Sequence, residues 1–184
     1  MRDNDGRTPL HRAVEIRRDA HIIVKILVDR GADTTTRDES GQTLLHAAAR
    51  GGFEDTVTIL LEQKGPGMNA RDRDGRTPLH VAAMNGNIDV ADLLITEKAD
   101  LEIRDKDEQT PLHIAAKCKD SEIAALLVSE GADIAARDYK HQTPVQLAER
   151  NRDIAAISAL RRRKVITVSA QLKDLHKVYP LTTL

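Results

Sequence analysis

The amino-acid sequence predicts an all-α fold, a solenoid of helix–loop–helix units joined by hairpin-like fingers. Three observations predict it. The block Thr8-Pro9-Leu10-His11 recurs as Thr43-Leu44-Leu45-His46, Thr77-Pro78-Leu79-His80 and Thr110-Pro111-Leu112-His113, and in altered form as Thr143-Pro144-Val145-Gln146. Its threonines stand 35, 34, 33 and 33 residues apart, a near-constant period that marks stacked repeats rather than one globule. An Arg-Asp pair precedes every copy: Arg2-Asp3, Arg37-Asp38, Arg71-Asp72, Arg104-Asp105 and Arg137-Asp138.

The third unit shows why each element forms. Thr77 is a competent N-cap, since its hydroxyl can accept from a free N–H of the first helical turn. Pro78 follows at the first helical position, where a missing N–H costs nothing. Leu79, Ala82 and Ala83 then make a narrow apolar stripe of mostly small side chains. Gly86 can end this helix in a left-handed conformation. A second helix carries Ile88, Leu93 and Leu94 among its apolar positions. Asp72-Arg73-Asp74-Gly75 has turn chemistry, with Gly75 suited to positive φ, and returns the chain to the next Thr-Pro. Helices this short are marginal alone, so their apolar faces must be covered by the neighbouring unit.

Composition narrows the function. There are 28 Lys+Arg against 29 Asp+Glu in 184 residues, a formal net charge of −1. That balance supplies no global field for nucleic acid or an anionic membrane. Phe53, Tyr139 and Tyr179 are the only aromatics, too few for the stacking platforms of single-strand readers. The lone cysteine, Cys118, forms no internal disulfide, and no run of about 18 apolar residues is present to span a bilayer. The expectation is an intracellular protein, cytoplasmic or nuclear, with neither nucleic-acid binding nor membrane insertion.

With Thr77-Pro78-Leu79-His80-Val81-Ala82 and a period near 33, the chain resembles the ankyrin-repeat family. Gly31-Ala32-Asp33 and Gly131-Ala132-Asp133 match the family's Gly-Ala-Asp after the second helix. The resemblance covers about residues 2 to 163 and implies L-shaped repeats, with paired helices as one arm and hairpin fingers as the other. It further implies protein binding through the fingers and the concave face of the first helices. The repeats are expected at about 2–36, 37–70, 71–103, 104–136 and 137–163. Residues 1–163 then hold five repeats, and residues 164–184 form a C-terminal capping or docking tail.

Departures from the pattern carry their own expectations. Two extra residues are expected around Arg17-Arg18-Asp19 and one around Gly51-Gly52-Phe53-Glu54, both lengthening the loop between helices. Arg17, Lys119 and Arg152 replace the glycine that ends the first helix, and a left-handed conformation there costs about 1 kcal/mol each. Lys98 replaces the glycine after the second helix. Glu108 and His141 replace the finger glycine, which predicts less regular fourth and fifth fingers. Arg12 stands where other units carry Ala47, Val81, Ile114 and Leu147, and predicts an exposed outer face at the first unit. Asn69 matches the hairpin asparagine that is hydroxylated in some family members, but Gly67 stands where an acidic residue usually precedes it.

Candidate chemistry is sparse. His11, His46, His80 and His113 lie a whole unit apart, so they cannot converge on one ion and are expected to orient the turn into each first helix. Cys118 lies beside Lys117 and Lys119, whose charges act to lower its pKa, but no histidine completes a nucleophilic set within sequence reach. No catalytic residue, cofactor or metal is expected, and the chain is read as a non-enzyme. The Arg-Asp ladder is expected to form a solvated row of ion pairs along one edge, the alternative being a site for an acidic partner.

Partner-binding candidates are the variable first-helix positions Arg50, Met84, Asn85, Lys117 and Cys118. At the finger tips they are Arg73, Arg76, Lys106, Tyr139 and Lys140. The set leans cationic, which suits a protein partner with acidic character, and Met84 and Tyr139 are its apolar contacts. In the tail, Val165-Ile166-Thr167-Val168 reads as strand-like, Ser169 can cap a brief helix, and Thr182-Thr183-Leu184 fits a PDZ-ligand-like terminus. The alternative function is therefore a targeting or scaffold subunit docked through this tail. The abrupt start at a finger predicts a part of a larger chain or complex.

Overall fold

The structure, a computed structural model, describes residues 2–16, 20–63 and 67–161. Five pairs of antiparallel-type helical elements follow one another: α1 (Pro9–Glu15) with α2 (Ala20–Asp29), α3 (Leu44–Gly51) with α4 (Glu54–Glu62), and α5 (Pro78–Asn85) with α6 (Ile88–Thr96). Next come α7 (Pro111–Cys118) with α8 (Ser121–Ser129), then α9 (Pro144–Arg150) with α10 over residues 154–161. Among the described residues the extended structure is limited to one isolated bridge, between Arg37 and Thr43. The expected extra residues around Arg17-Arg18-Asp19, and the tail at 164–184, lie outside the described residues.

The motif explains each helix start. The hydroxyls of Thr8, Thr77 and Thr143 accept from the backbone N–H three residues on, each at 3.4 Å. The side chain at that third position reaches back to the threonine N–H: His46 to Thr43 at 3.1 Å, His80 to Thr77 at 3.2 Å and Gln146 to Thr143 at 2.8 Å. This reciprocal box satisfies two otherwise orphaned donors at the helix start. At the other end Gly86 takes φ 71°, a conformation that needs no side chain.

Packing runs along the stack. First helices pack in one row, α1 on α3, α3 on α5, α5 on α7 and α7 on α9. Second helices form another, α2 on α4, α4 on α6 and α6 on α8. Ala48, Ala49, Ala82, Ala83, Ala115 and Ala116 are wholly buried in the first row, and their small side chains permit the close approach of neighbouring helices. Leu60, Leu94 and Leu127 are buried at equivalent places in the second row. Burial of an aliphatic side chain is worth about 1.5–3 kcal/mol, and here it is gained between units. At the first unit this cover ends. Ile23 is 37% exposed, where Val90 and Ile123 at matching positions are 0% exposed. Arg12 is likewise exposed and pairs with Asp3 at 2.6 Å.

The fingers join into a ribbon. Glu39 donates its N–H to the carbonyl of Asp5, Arg73 to Ser40, Lys106 to Asp74 and Tyr139 to Asp107, at 2.8–3.1 Å. One backbone bond therefore links every finger to the one before it. These links and the helix rows hold the finger tips and first helices in fixed register.

Two expectations are corrected. The extra residue of the second unit is not between its helices. Gly51 continues α3, Gly52 caps it with φ 71°, and α4 starts as far from Thr43 as α6 does from Thr77. The insertion lies between Glu62 and the finger at Arg71. The fourth and fifth fingers are also as regular as the third. Glu108 (φ 55°) and His141 (φ 58°) adopt the glycine conformation, and each closes the same turn onto Asp105 or Asp138 that Gly75 closes onto Asp72. Backbone bonds on both sides hold the strained residue in place.

Candidate functional site

The ladder of Arg-Asp pairs turns out to be a backbone clamp, which corrects the expected row of ion pairs. Each aspartate serves its own turn. Asp72 Oδ1 accepts from the N–H of Asp74 and of Arg76, both at 2.9 Å, and Asp38, Asp105 and Asp138 repeat this. Each arginine serves carbonyls. Arg37 donates to Gly41 O at 2.6 Å and to Arg71 O at 2.8 Å. Arg71 donates to Gly75 O and, across the joint, to Arg104 O at 2.7 Å. Arg104 reaches Arg137 O at 2.9 Å and pairs with Glu108 at 3.3 Å. Arg2 donates to Arg37 O at 2.7 Å and Arg137 to His141 O at 2.9 Å, so all five arginines hold backbone carbonyls.

The motif histidines also span the joints. His46 Nε2 lies 2.9 Å from Arg76 O, His80 Nε2 3.0 Å from Gln109 O, and His113 Nε2 3.1 Å from Gln142 O. Because Nδ1 accepts from the threonine N–H, the ring proton sits on Nε2 and is donated to the next unit. Burial pushes all three imidazoles below their ordinary pKa, which keeps them neutral. His11 is lowered for the same reason, and its Nε2 has no partner among the described residues.

What remains for a partner is the set of exposed side chains on this scaffold. Arg50, Arg73, Met84, Asn85, Lys106, Lys117, Cys118, Tyr139 and Lys140 are exposed, and Arg76 is half-buried. Some of them line two separate clefts. Arg50 and Asn85 line a cleft of about 420 Å³ with Glu15 and Phe53. Lys117, Tyr139 and Lys140 line a second of about 280 Å³ between the fourth and fifth fingers. Arg73, Arg76, Met84, Lys106 and Cys118 line neither.

Their charges are unequally available. Arg76 is paired with Asp74 at 2.6 Å. Arg50 donates to the side-chain oxygen of Gln42, and Asn85 to the carbonyl of Val81. Lys140 Nζ sits 5.0 Å from the centre of the Tyr139 ring, within cation–π reach. Among the described residues nothing accepts from the side chains of Arg73 or Lys106. Partial burial pushes the Cys118 thiol up, outweighing the opposing charge of Lys117. The charges of the neighbouring lysines therefore do not lower it.

Arg150 was not among the sequence candidates. It lines the second cleft, is exposed, and has no partner among the described residues. The signal was present: Arg150 stands seven residues after Thr143, as Arg50, Met84 and Lys117 stand after their own threonines. Asn69 has a structural use, its Oδ1 accepting from Asp100 N–H at 3.0 Å, as Glu102 accepts from Asp133. Among the described residues no group of three His, Cys, Asp or Glu side chains could hold a metal ion. None of the described helices is long and apolar enough to cross a membrane.

Repeated caps, clamped fingers and two helix rows define an α-solenoid of the ankyrin type. A family model described as "Ankyrin repeats (3 copies)" matches residues 16–105 and 93–169, and the chain belongs to the ankyrin-repeat family. No curated protein matches the chain. Ankyrin repeats are in general protein–protein interaction modules, and their domains are typically non-catalytic.

Proposed function

We propose that this protein is a non-catalytic interaction module that binds a protein partner of acidic character through its fingers and the concave face of its first helices. The residues assigned to contact are Arg50, Arg73, Arg76, Met84, Asn85, Lys106, Lys117, Cys118, Tyr139 and Lys140. The observation that carries the reading is the division of labour among cations. The ladder arginines hold the backbone, while Arg73 and Lys106, one residue after each turn aspartate, are exposed and unpaired among the described residues. A rigid backbone carrying free cations and exposed Met84 and Tyr139 suits docking without rearrangement. We place this activity inside the cell, cytoplasmic or nuclear.

The test is affinity capture with mass spectrometry, using the native chain and the Arg73→Glu, Arg76→Glu, Lys106→Glu variant. Proteins retained by the native surface are expected to be lost from the variant, with the thermal midpoint little changed, because Arg73 and Lys106 are exposed and unpaired among the described residues and the Arg76–Asp74 pair lies at the surface. Equal retention by both would remove the groove reading.

The same proposal divides the chain into five repeats over residues 1–163 and a tail over 164–184. A chain ending at residue 163 separates the tail's two roles. A lower thermal midpoint marks a cap, and a loss of binding at unchanged stability marks the alternative, a targeting or scaffold subunit docked through the tail.

A further inference from the structure

The four joints of the stack are not equivalent in charge. At the seventh position after each threonine stand Glu15, Arg50, Met84, Lys117 and Arg150, so only the last joint brings two cations together. At the second position after each turn aspartate stand Asp5, Ser40, Asp74, Asp107 and Lys140, so only the fifth finger carries a cation there. These exceptions meet in the cleft of about 280 Å³ between the fourth and fifth fingers, where Lys117, Lys140 and Arg150 face Asp107 and Asp138.

Neither carboxylate there forms an ion pair with Lys117, Lys140 or Arg150 among the described residues. Asp138 is 3% exposed, and its Oδ1 accepts from the N–H groups of Lys140 and Gln142 at 2.9 Å. Asp107 has no ion pair among the described residues. Glu149, beside Arg150 in the chain, is engaged by Arg161 at 2.6 Å. Arg150 is thereby left without a carboxylate partner. At the rim Tyr139 is 53% exposed, a large apolar ring with Lys140 over its face.

We propose that this cleft binds an acidic segment of a protein partner. Its carboxylates sit between Lys117, Lys140 and Arg150, and a neighbouring apolar side chain rests on Tyr139. The inference rests on the reading that the concave face binds protein, and it narrows that reading to one joint and one ligand chemistry. Arg150 supplies the planar fork that takes a carboxylate in two hydrogen bonds, and the lysines supply point charges on either side. The other cleft sets Glu15 beside Arg50 and lacks this excess of positive charge.

The test is selection of random twelve-residue peptides on the full chain, followed by affinity measurement on variants. Recovered peptides are expected to be rich in Asp and Glu beside an aromatic or aliphatic residue. The Lys140→Glu, Arg150→Glu variant should bind them at least about tenfold more weakly, the Lys140→Gln, Arg150→Gln variant should fall between, and Arg30→Glu, an exposed position of the first unit outside the assigned contact set, should stay within about twofold of native. Thermal melts of each variant establish that the fold is intact. Recovered peptides without acidic enrichment overturn the cleft assignment and leave the general groove reading standing, and equal loss with Arg30→Glu overturns it in favour of nonspecific charge attraction. Peptides insensitive to every concave-face variant overturn both. Tighter binding of a dye-labelled single-stranded oligonucleotide than of any peptide overturns the assignment in favour of a nucleic-acid ligand.

Discussion

His80 condenses the logic of the fold into one side chain. Its Nδ1 accepts from Thr77 N–H and fixes the start of α5, while its Nε2 donates to Gln109 O of the next unit. Sequence reasoning found the first role, because the cap partner is three residues away within one motif. The second lies 29 residues on and ends at a backbone carbonyl, which no residue pattern marks. The same blindness turned the Arg-Asp ladder into expected ion pairs, since its acceptors are carbonyls and its donors turn amides. Protonation exposes the histidine role. Burial holds the folded imidazole below its ordinary value of 6.5, so on acidification the unfolded chain takes up protons first. The contribution is complete above about pH 6.5 and is lost as pH falls from there through the depressed folded value. Because His46 and His113 are lowered by the same cause, their losses act together. The thermal midpoint is expected to fall between pH 7.5 and 5, and a His46→Gln, His80→Gln, His113→Gln chain should show a shallower slope. A parallel slope would place the pH dependence elsewhere.

Helix ends decide how faithfully a unit keeps the pattern. The sequence made the helix starts legible because Thr-Pro is chemically distinctive, and it located Gly86 as a left-handed end. It misplaced the insertion of the second unit, since Gly51-Gly52 offers two capping glycines and only packing selects Gly52. It also took Glu108 and His141 as irregularities, although their turns are held by backbone bonds within each turn and by bonds to the neighbouring fingers, on both sides for the fourth finger and to the fourth for the fifth. Lys119 and Arg152 sit at φ 62° and 56° after first helices, where a Cβ is disfavoured. Lys119→Gly should therefore stabilise by up to about 1 kcal/mol, the relieved strain being partly offset by the greater freedom of glycine when unfolded. The converse change, Gly86→Ala, combines φ 71° with a new Cβ 3.1 Å from Asp120 Oδ2 and should destabilise by about 1–2 kcal/mol. Urea denaturation of the pair measures both, and a stabilising Gly86→Ala would refute the strain argument.

At the scale of the whole molecule, stability resides in the joints. No pair of helices encloses its own core: Ala82 and Ala83 of α5 are buried with help from both α3 and α7. In such a stack the chain unfolds as one unit only while each interface outweighs the intrinsic instability of its neighbours. The joint between the third and fourth units uses three kinds of link. These are the backbone bond from Lys106 to Asp74, the Arg71 bond to Arg104 O and the His80 bond to Gln109 O, all laid over apolar packing of α5 on α7. Arg71→Met with His80→Gln removes the two side-chain links and keeps the helix cap, because Gln146 makes the same cap bond in the fifth unit. Each lost hydrogen bond is worth about 0.5–1.5 kcal/mol, and unsatisfied carbonyls add to that cost. Weakening this one joint is expected to uncouple residues 104–161 from residues 2–103. The urea transition should broaden with a smaller apparent slope, and amides of α7 to α10 should exchange faster than those of α3 to α6. A single transition shifted to lower urea at unchanged slope would mean instead that apolar packing between α5 and α7 carries the coupling, with the polar clamps serving only to set register.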